Sequence, residues 1–397
     1  MQAKTKQINE IYVTRAIAIL GVLLVHATSF TIIDLQGTSY YGFYNSVNTF
    51  FKYGTPTFIL LSSFVLFYSY SKRPLTPKLM ASFYKRRMLF IILPYIIFST
   101  LYFLYHYNVY ASYIPQSEML GEFLDRLAIG KTSSHLYFVF ISIQFYILFP
   151  LFLWFFKTFP AVAKHAFWIG FLIQWAFVFA LDQGLITVEN KGSISLSYMS
   201  YYFTGITLGM YFDKFERFLS MTKEALLSKW GVWTVVLWLA WAGTAFGHIY
   251  VQYLLRTGLG SPSQLVFQLF WNLHTFFSAF VLLQVSFLIY RKFAPWAVNA
   301  LMHLGVASFG IYLMHLLVLN EYYAQFKTGD PLLYHIFIAV GFVVTLAVSW
   351  LVVGLVLKYV PGAWILFGAT PKKMPKKDKT QLPLEPGSSQ QTTSSSP

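Results

Sequence analysis

Ten apolar runs of about 18 to 25 residues, each bounded by charged or turn-forming residues, follow one another along this 397-residue chain. They cover roughly 11–33, 46–70, 87–108, 134–157, 163–182, 195–213, 229–250, 266–290, 301–321 and 333–358. A run this long satisfies its backbone polar groups inside lipid only as a helix, and nothing alternates with the two-residue period that a barrel strand needs. The predicted fold class is an all-α polytopic membrane protein with about ten transmembrane helices. Composition supports it where a soluble alternative has to be excluded. Only 11% of residues are charged and 57% are hydrophobic, too apolar for a water-facing surface.

The formal net charge of +15 would suggest nucleic acid in a soluble chain. Here the basic residues fall in the gaps between apolar runs, and topology explains them. With an even number of spans and both termini cytoplasmic, 22 of the 29 Lys and Arg residues fall on the inner side, five fall outside and two lie within spans. The outer five are Arg126, Lys131, Lys191, Arg256 and Lys327, and the two within spans are Arg15 and Lys52. The expected organisation is a cytoplasmic N-terminus over 1–10, a transmembrane domain over 11–358, an interfacial segment over 359–370 and a disordered basic cytoplasmic tail over 371–397. The first run is expected to stay as a span: it is too long for a signal peptide and contains an arginine. The longest outer loop, 109–133, sets Glu118, Glu122, Asp125 and Arg126 among Met119, Leu120, Phe123, Leu124 and Leu127, which predicts an amphipathic surface helix. The absence of cysteine removes any cysteinyl acyl-enzyme.

Ionisable side chains inside spans cost about 2.5 to 3.5 kcal/mol on insertion scales, so those present are functional candidates. Arg15 and His26 are eleven residues apart, about three helical turns, so they share one face about 16.5 Å apart along the axis. Arg15 lies towards the inner mouth and His26 in the outer half. Their bland readings are a snorkelling arginine and a hydrogen-bonded packing histidine. Arg86 and Arg87 open the third run at the same inner mouth, where they would join Arg15 in an anion site; Lys72, Arg73 and Lys78 read as ordinary inner-loop charge. In the ninth run Ser308, Tyr312 and His315 form a polar stripe, and His26, His135 and His315 lie at similar depth. Lys52 either snorkels outward or lines the cavity. With no HExxH and no clustered carboxylates, no metal is expected.

These residues resemble the acyltransferase-3 family of integral membrane acyltransferases over about residues 8 to 358. The resemblance rests on Arg15 and His26 of the first run, on Ser62-Ser63-Phe64, on Tyr84-Lys85-Arg86-Arg87 leading to Pro94-Tyr95, on His135-Leu136-Tyr137-Phe138 followed by Gln144, Tyr146 and Pro150, and on Ser308 to His315. Two positions depart from it: Ser63 stands where the family usually has glycine, and Phe90 where many members have a second arginine. Both look similar to the branch holding the intercellular-adhesion exopolysaccharide modification or export proteins. The resemblance implies a multi-pass protein of the bacterial plasma membrane that moves an acetyl- or succinyl-class group from cytoplasmic acyl-CoA to a hydroxyl of a cell-surface or exported carbohydrate.

On that reading acyl-CoA is the donor substrate and no permanently bound cofactor is expected. Partners are the bilayer, a carbohydrate or glycolipid acceptor and polysaccharide synthase components, with no nucleic acid. Arg15, Arg86 and Arg87 would hold the donor phosphates. His26 would act as base or acyl carrier, helped by His315, Tyr312 and Ser308, while His135, Ser62, Ser63 and Gln144 would meet the acceptor. One continuous cavity is expected to join Arg15 to His26. The rival is an exporter or flippase in which the same stripe binds sugar hydroxyls and no bond is made; a purely structural subunit would leave Arg15 unexplained.

Overall fold

Start signals in the sequence place the long helices. Ser228, Ser263 and Asp330 each stand just before an apolar run and accept hydrogen bonds from its first turn: Ser228 from Trp230 N (3.3 Å), Ser263 from Val266 N (3.3 Å), and Asp330 from Leu332 N and Leu333 N (2.8 and 2.9 Å). They open the helices Lys229–Thr257, Gln264–Lys292 and Pro331–Tyr359, while Pro295 supplies the first residue of Pro295–Gln325. The computed structural model describes residues 7–110, 114–326, 330–371 and 373–377. Within them the chain is helical with no strand, an all-α polytopic membrane protein. The lysines at 4, 6, 327, 372 and 379 lie outside the described residues, as does most of the expected tail.

Eight described helical segments are long and apolar enough to cross a membrane: Glu10–Ala27, Tyr41–Tyr70, Pro77–Val109, Tyr137–Thr158, Lys229–Thr257, Gln264–Lys292, Pro295–Gln325 and Leu332–Tyr359. The two other expected runs form shorter helices, Ala166–Asp182 of 17 residues and Met199–Met210 of 12. Twelve residues rise about 18 Å, short of the roughly 30 Å hydrocarbon core. The sequence gives the reason. Ser195–Tyr198 is a tight helical turn before it, and after it Asp213, Lys214, Glu216 and Arg217 carry the chain off as a separate helix, Phe212–Ser220.

Met199–Met210 is instead the centre of the larger core, with Tyr201, Tyr202, Phe203 and Ile206 all buried beside Phe64, Phe67 and Phe149. It approaches Gly54–Tyr70 closely because Gly205 has no side chain: a Cβ there would stand 2.4 Å from Leu60 O and 2.7 Å from Ser63 Cβ. Polar side chains fasten it to its other neighbours. Gln174 accepts from Ser200 N (2.9 Å) and Ser200 Oγ (2.6 Å) and donates to Asn272 Oδ1 (2.5 Å). Exposed apolar residues mark the lipid face, notably Trp233, Leu239 and Phe246 on Lys229–Thr257 and Leu332, Ile336 and Leu351 on Pro331–Tyr359. In these two segments 28% of the most apolar stretch is buried, against 67% in Gln264–Lys292 and Pro295–Gln325, so the latter are central. The expected surface helix is present at Met119–Ala128, with Leu120 and Leu124 exposed and Arg126 paired with Glu122 at 2.5 Å.

Glu10–Ala27 lies along Pro295–Gln325, and this pair carries the candidate site. Their crossing depends on Gly305, where a Cβ would fall 1.8 Å from Tyr12 O. Gly305→Val is therefore expected to force the pair apart and cost more than about 4 kcal/mol, the range of severe overpacking and buried backbone damage. The check is the yield and thermal stability of monodisperse protein in detergent; wild-type behaviour would show that the crossing is not needed.

Candidate active site

The opening helix and Pro295–Gln325 bring two polar groupings together at opposite ends of one contact. At the basic end Arg15 Nε donates to Ser308 Oγ at 3.2 Å, and Ser308 Oγ donates to Gly305 O at 2.8 Å. Ser308 spends its proton on its own helix and offers a lone pair to the guanidinium, which fixes Arg15 in place. Arg15 faces a cavity of about 490 Å³, whose wall also carries Ser62, Arg73, Arg86, Arg87, Tyr146 and Tyr312. Four guanidinium groups around one void, with no carboxylate among its lining residues, give it a strongly positive wall. Arg87 lies over the Tyr146 ring at 4.6 Å and the Phe83 ring at 5.2 Å, and its Nε is buried with no hydrogen-bond partner, a donor free for an incoming acceptor. The backbone after Arg87 widens into a π-helical turn over Met88–Ile92, just ahead of Pro94. Phe90, in that turn, lines the cavity and meets the Trp364 ring at 5.5 Å.

At the other end three imidazoles meet. Ring centroids are 5.0 Å apart for His135 and His315, 5.1 Å for His26 and His315, and 6.4 Å for His26 and His135. His315 Nδ1 lies 2.7 Å from Tyr312 O; a carbonyl only accepts, so Nδ1 carries the proton and Nε2 has the lone pair in the neutral ring. His135 Nδ1 contacts Ser133 Oγ at 3.2 Å, and Tyr312 OH donates to His135 O. The Nε2 atoms of His135 and His315 are buried without partners. His135 and His315 are almost wholly buried, whereas His26 is only half-buried and is the most exposed of the three rings.

Several expectations need correcting against this geometry. The cavity ends at Tyr312 and none of the three imidazoles lines it, so the void that Arg15 faces does not extend to His26. The Tyr312 ring fills the gap, packed on His135 at 5.1 Å and Phe138 at 5.4 Å. Ser308 stands with Arg15, seven residues and about 10.5 Å below His315, too far to orient His26. Ser63 is fully buried, donating to Tyr202 O at 2.6 Å in the helix crossing at Gly205, and does not line the cavity. Gln144 holds the backbone of the 193–195 segment, donating to Ser193 O at 2.8 Å and accepting from Ser195 N at 2.9 Å. Ser62 does line the cavity.

Other residues read differently in the sequence or carried no signal there. Arg73 read as loop charge but joins the cavity, since the short link after Tyr70 turns it back over that ring at 5.2 Å. Ser133 was visible only as a hydroxyl two residues before His135. A second buried pair, His248 and His274, has its Nδ1 atoms 3.0 Å apart, so one donates and the other accepts. Nearby, Lys52 donates to Gln252 Oε1 at 3.4 Å, and Arg256, read as an outer-loop charge, reaches Asn45 Oδ1 (3.0 Å) and Asn48 Oδ1 (2.8 Å) from the end of its helix. Among the described residues no group of three or more His, Asp or Glu is arranged to hold a metal ion.

No curated protein and no solved structure matches the chain. Residues 8–354 match the acyltransferase-3 family, described as an acyltransferase domain. The match runs from the foot of the opening helix almost to the end of Pro331–Tyr359 and takes in both the arginine-lined cavity and the three histidines: the chain belongs to the acyltransferase-3 family and is a multi-pass membrane acyltransferase.

Proposed function

We propose that this protein takes an acetyl- or succinyl-class acyl group from acyl-CoA on the cytoplasmic side and transfers it to a hydroxyl of a carbohydrate at the opposite face, in a bacterial plasma membrane. The observation that carries the reading is the opposed placement of an arginine-lined cavity and an imidazole cluster along one helix pair. The positive-inside rule orients it, because Arg73, Arg86 and Arg87 at the cavity mouth belong to the most basic loop between spans. Acyl-CoA is an anionic nucleotide on a long flexible arm. Arg73, Arg86 and Arg87 meet its phosphates, Arg15 meets charge deeper in the cavity, and the arm carries the thioester past Tyr312, whose ring has to swing aside.

In the transfer step the acceptor hydroxyl oxygen attacks the thioester carbonyl while its proton passes to His26. The C–O bond forms, the C–S bond breaks, and the departing thiolate takes up that proton. The His315 ring, 5.1 Å from His26 between centroids, offers its unpartnered Nε2 lone pair to the imidazolium as it forms. The test is mass spectrometry of surface glycans from cells with and without the protein. One ester-sized mass difference should disappear while the polymer stays on the surface. Polymer with unchanged esters would sink the reading, and polymer lost altogether would favour export.

A further inference from the structure

Two cavities apart from the arginine-lined one open at the histidine end. The larger, about 590 Å³, lies between the end of Ala166–Asp182, the 184–198 segment and the start of Gln264–Lys292. The smaller, about 340 Å³, lies between the 130–137 segment and the same 184–198 segment. They share Asn190, Gly192 and Tyr198 along a common edge, so they adjoin and form the two ends of a candidate groove. An ion pair between Lys131 and Glu189 ties its two banks together. The smaller cavity reaches Ser133, whose hydroxyl contacts His135 Nδ1 at 3.2 Å. The groove therefore ends against the imidazole cluster, on the side away from the arginines.

Its lining has a definite chemistry. The partly exposed Trp271 ring stands at 75° to the buried Tyr198 ring, with centroids 6.1 Å apart, and offers an aromatic surface to apolar C–H groups. Around it stand Asp182, Asn190, Gln264 and Gln268, short groups that together donate and accept hydrogen bonds. Asp182 and Lys191 balance in charge, and Lys131 is paired with Glu189, unlike the four arginines of the other cavity. An aromatic surface rimmed by amides and a carboxylate, with its charges balanced, fits a pyranose ring, and two adjoining cavities of about 590 and 340 Å³ leave room for more than one.

We infer that this groove is the acceptor site and that it takes an uncharged oligosaccharide, laid from Trp271 past Asn190 with its reacting hydroxyl beyond Ser133 towards His135 and His26. The inference rests on the proposed transfer to carbohydrate and adds where and in what form the acceptor binds. Gln144 gains a role, since it holds Ser193 and Ser195 and so shapes the bank that both cavities share.

The test is binding of neutral β-linked pentasaccharides, cellopentaose and the N-acetylglucosamine pentamer, to the purified full-length protein without donor. Saturable binding of at least one is expected, weakened at least tenfold by Trp271→Ala. Because that variant removes a core-contacting ring, a second route uses the cysteine-free background. Exposed Gln264→Cys should bind sugar before, and not after, reaction with a bulky maleimide, and a membrane-impermeant maleimide should reach it from outside intact cells. No binding to the parent protein, or binding that survives both changes, overturns the groove. His26→Ala separates the two readings. If it keeps sugar binding and loses transfer, both stand; if it keeps transfer while Trp271→Ala loses binding, the groove stands and the catalytic reading falls.

Discussion

Alanine at His26 is expected to lower acyl transfer by about 10²- to 10⁴-fold while leaving the protein folded and able to bind both substrates. The ring lies 5.1 Å from His315 and 6.4 Å from His135 between centroids and sits half-buried, so its loss opens a small space without stranding a buried charge. The loss should fall on kcat, because a group that accepts the hydroxyl proton acts only as the transition state is approached. His26→Gln keeps hydrogen-bonding capacity but has no titratable nitrogen, and should be as defective as alanine. His315→Ala should cost less, about 10- to 100-fold, since a supporting residue typically contributes part of what the base does. The measurement is single-turnover transfer from labelled acyl-CoA to the surface glycan at matched protein levels. Turnover of His26→Ala at the parent rate would remove the base assignment, and equal losses at His26 and His315 would mean the two rings work as one unit.

How far this could be read without coordinates divides by the range of the interaction. Hydrophobic run length is a local property of about 20 residues, which is why the strongly apolar spans were legible and the length of the Met199–Met210 helix was not: a run-length reading merges it with the turn over Ser195–Tyr198 and the start of Phe212–Ser220 that bound it. The shared face of Arg15 and His26 followed from helical geometry alone. The meeting of His26, His135 and His315 needed three helices to cross at one depth, and similar depth in the sequence pointed to it without giving contact. Ser308 and Gln144 were misplaced for a different reason. A hydroxyl or amide in a span reads the same whether it serves a substrate or a neighbour, and here the neighbours, Arg15 in one case and the 193–195 backbone in the other, lie far away along the chain. Ser63 is clearer in hindsight. The small residue expected at that crossing is present on the facing helix as Gly205, so serine fits and its hydroxyl bonds Tyr202 O.

Removing the guanidinium of Arg15 is expected to raise the dissociation constant for acyl-CoA by about 10- to 150-fold, the equivalent of about 1.5 to 3 kcal/mol for a charge-assisted hydrogen bond. Arg15 is the deepest of the four arginines and is held by Ser308, so its donors are already oriented and little entropy is lost when an anion arrives. Arg86, by contrast, is exposed, and its replacement by alanine should cost no more than about fivefold, in line with solvent-screened charges. Arg15→Lys should recover only part of the affinity, because an ammonium cannot reproduce the planar fork. Ser308→Ala, which frees the guanidinium without removing it, should fall between Arg15→Lys and the parent. Equilibrium binding of acyl-CoA to the purified protein at two salt concentrations reads all four, with Arg86→Ala showing the steeper salt dependence. Because the Tyr312 ring closes the cavity below the histidines, donor affinity and transfer are separable quantities in this fold. Arg15→Ala should therefore regain most of its kcat at saturating acyl-CoA, which His26→Ala cannot do at any concentration. An Arg15→Ala variant with parental donor affinity would remove the anion-site assignment from the deepest arginine.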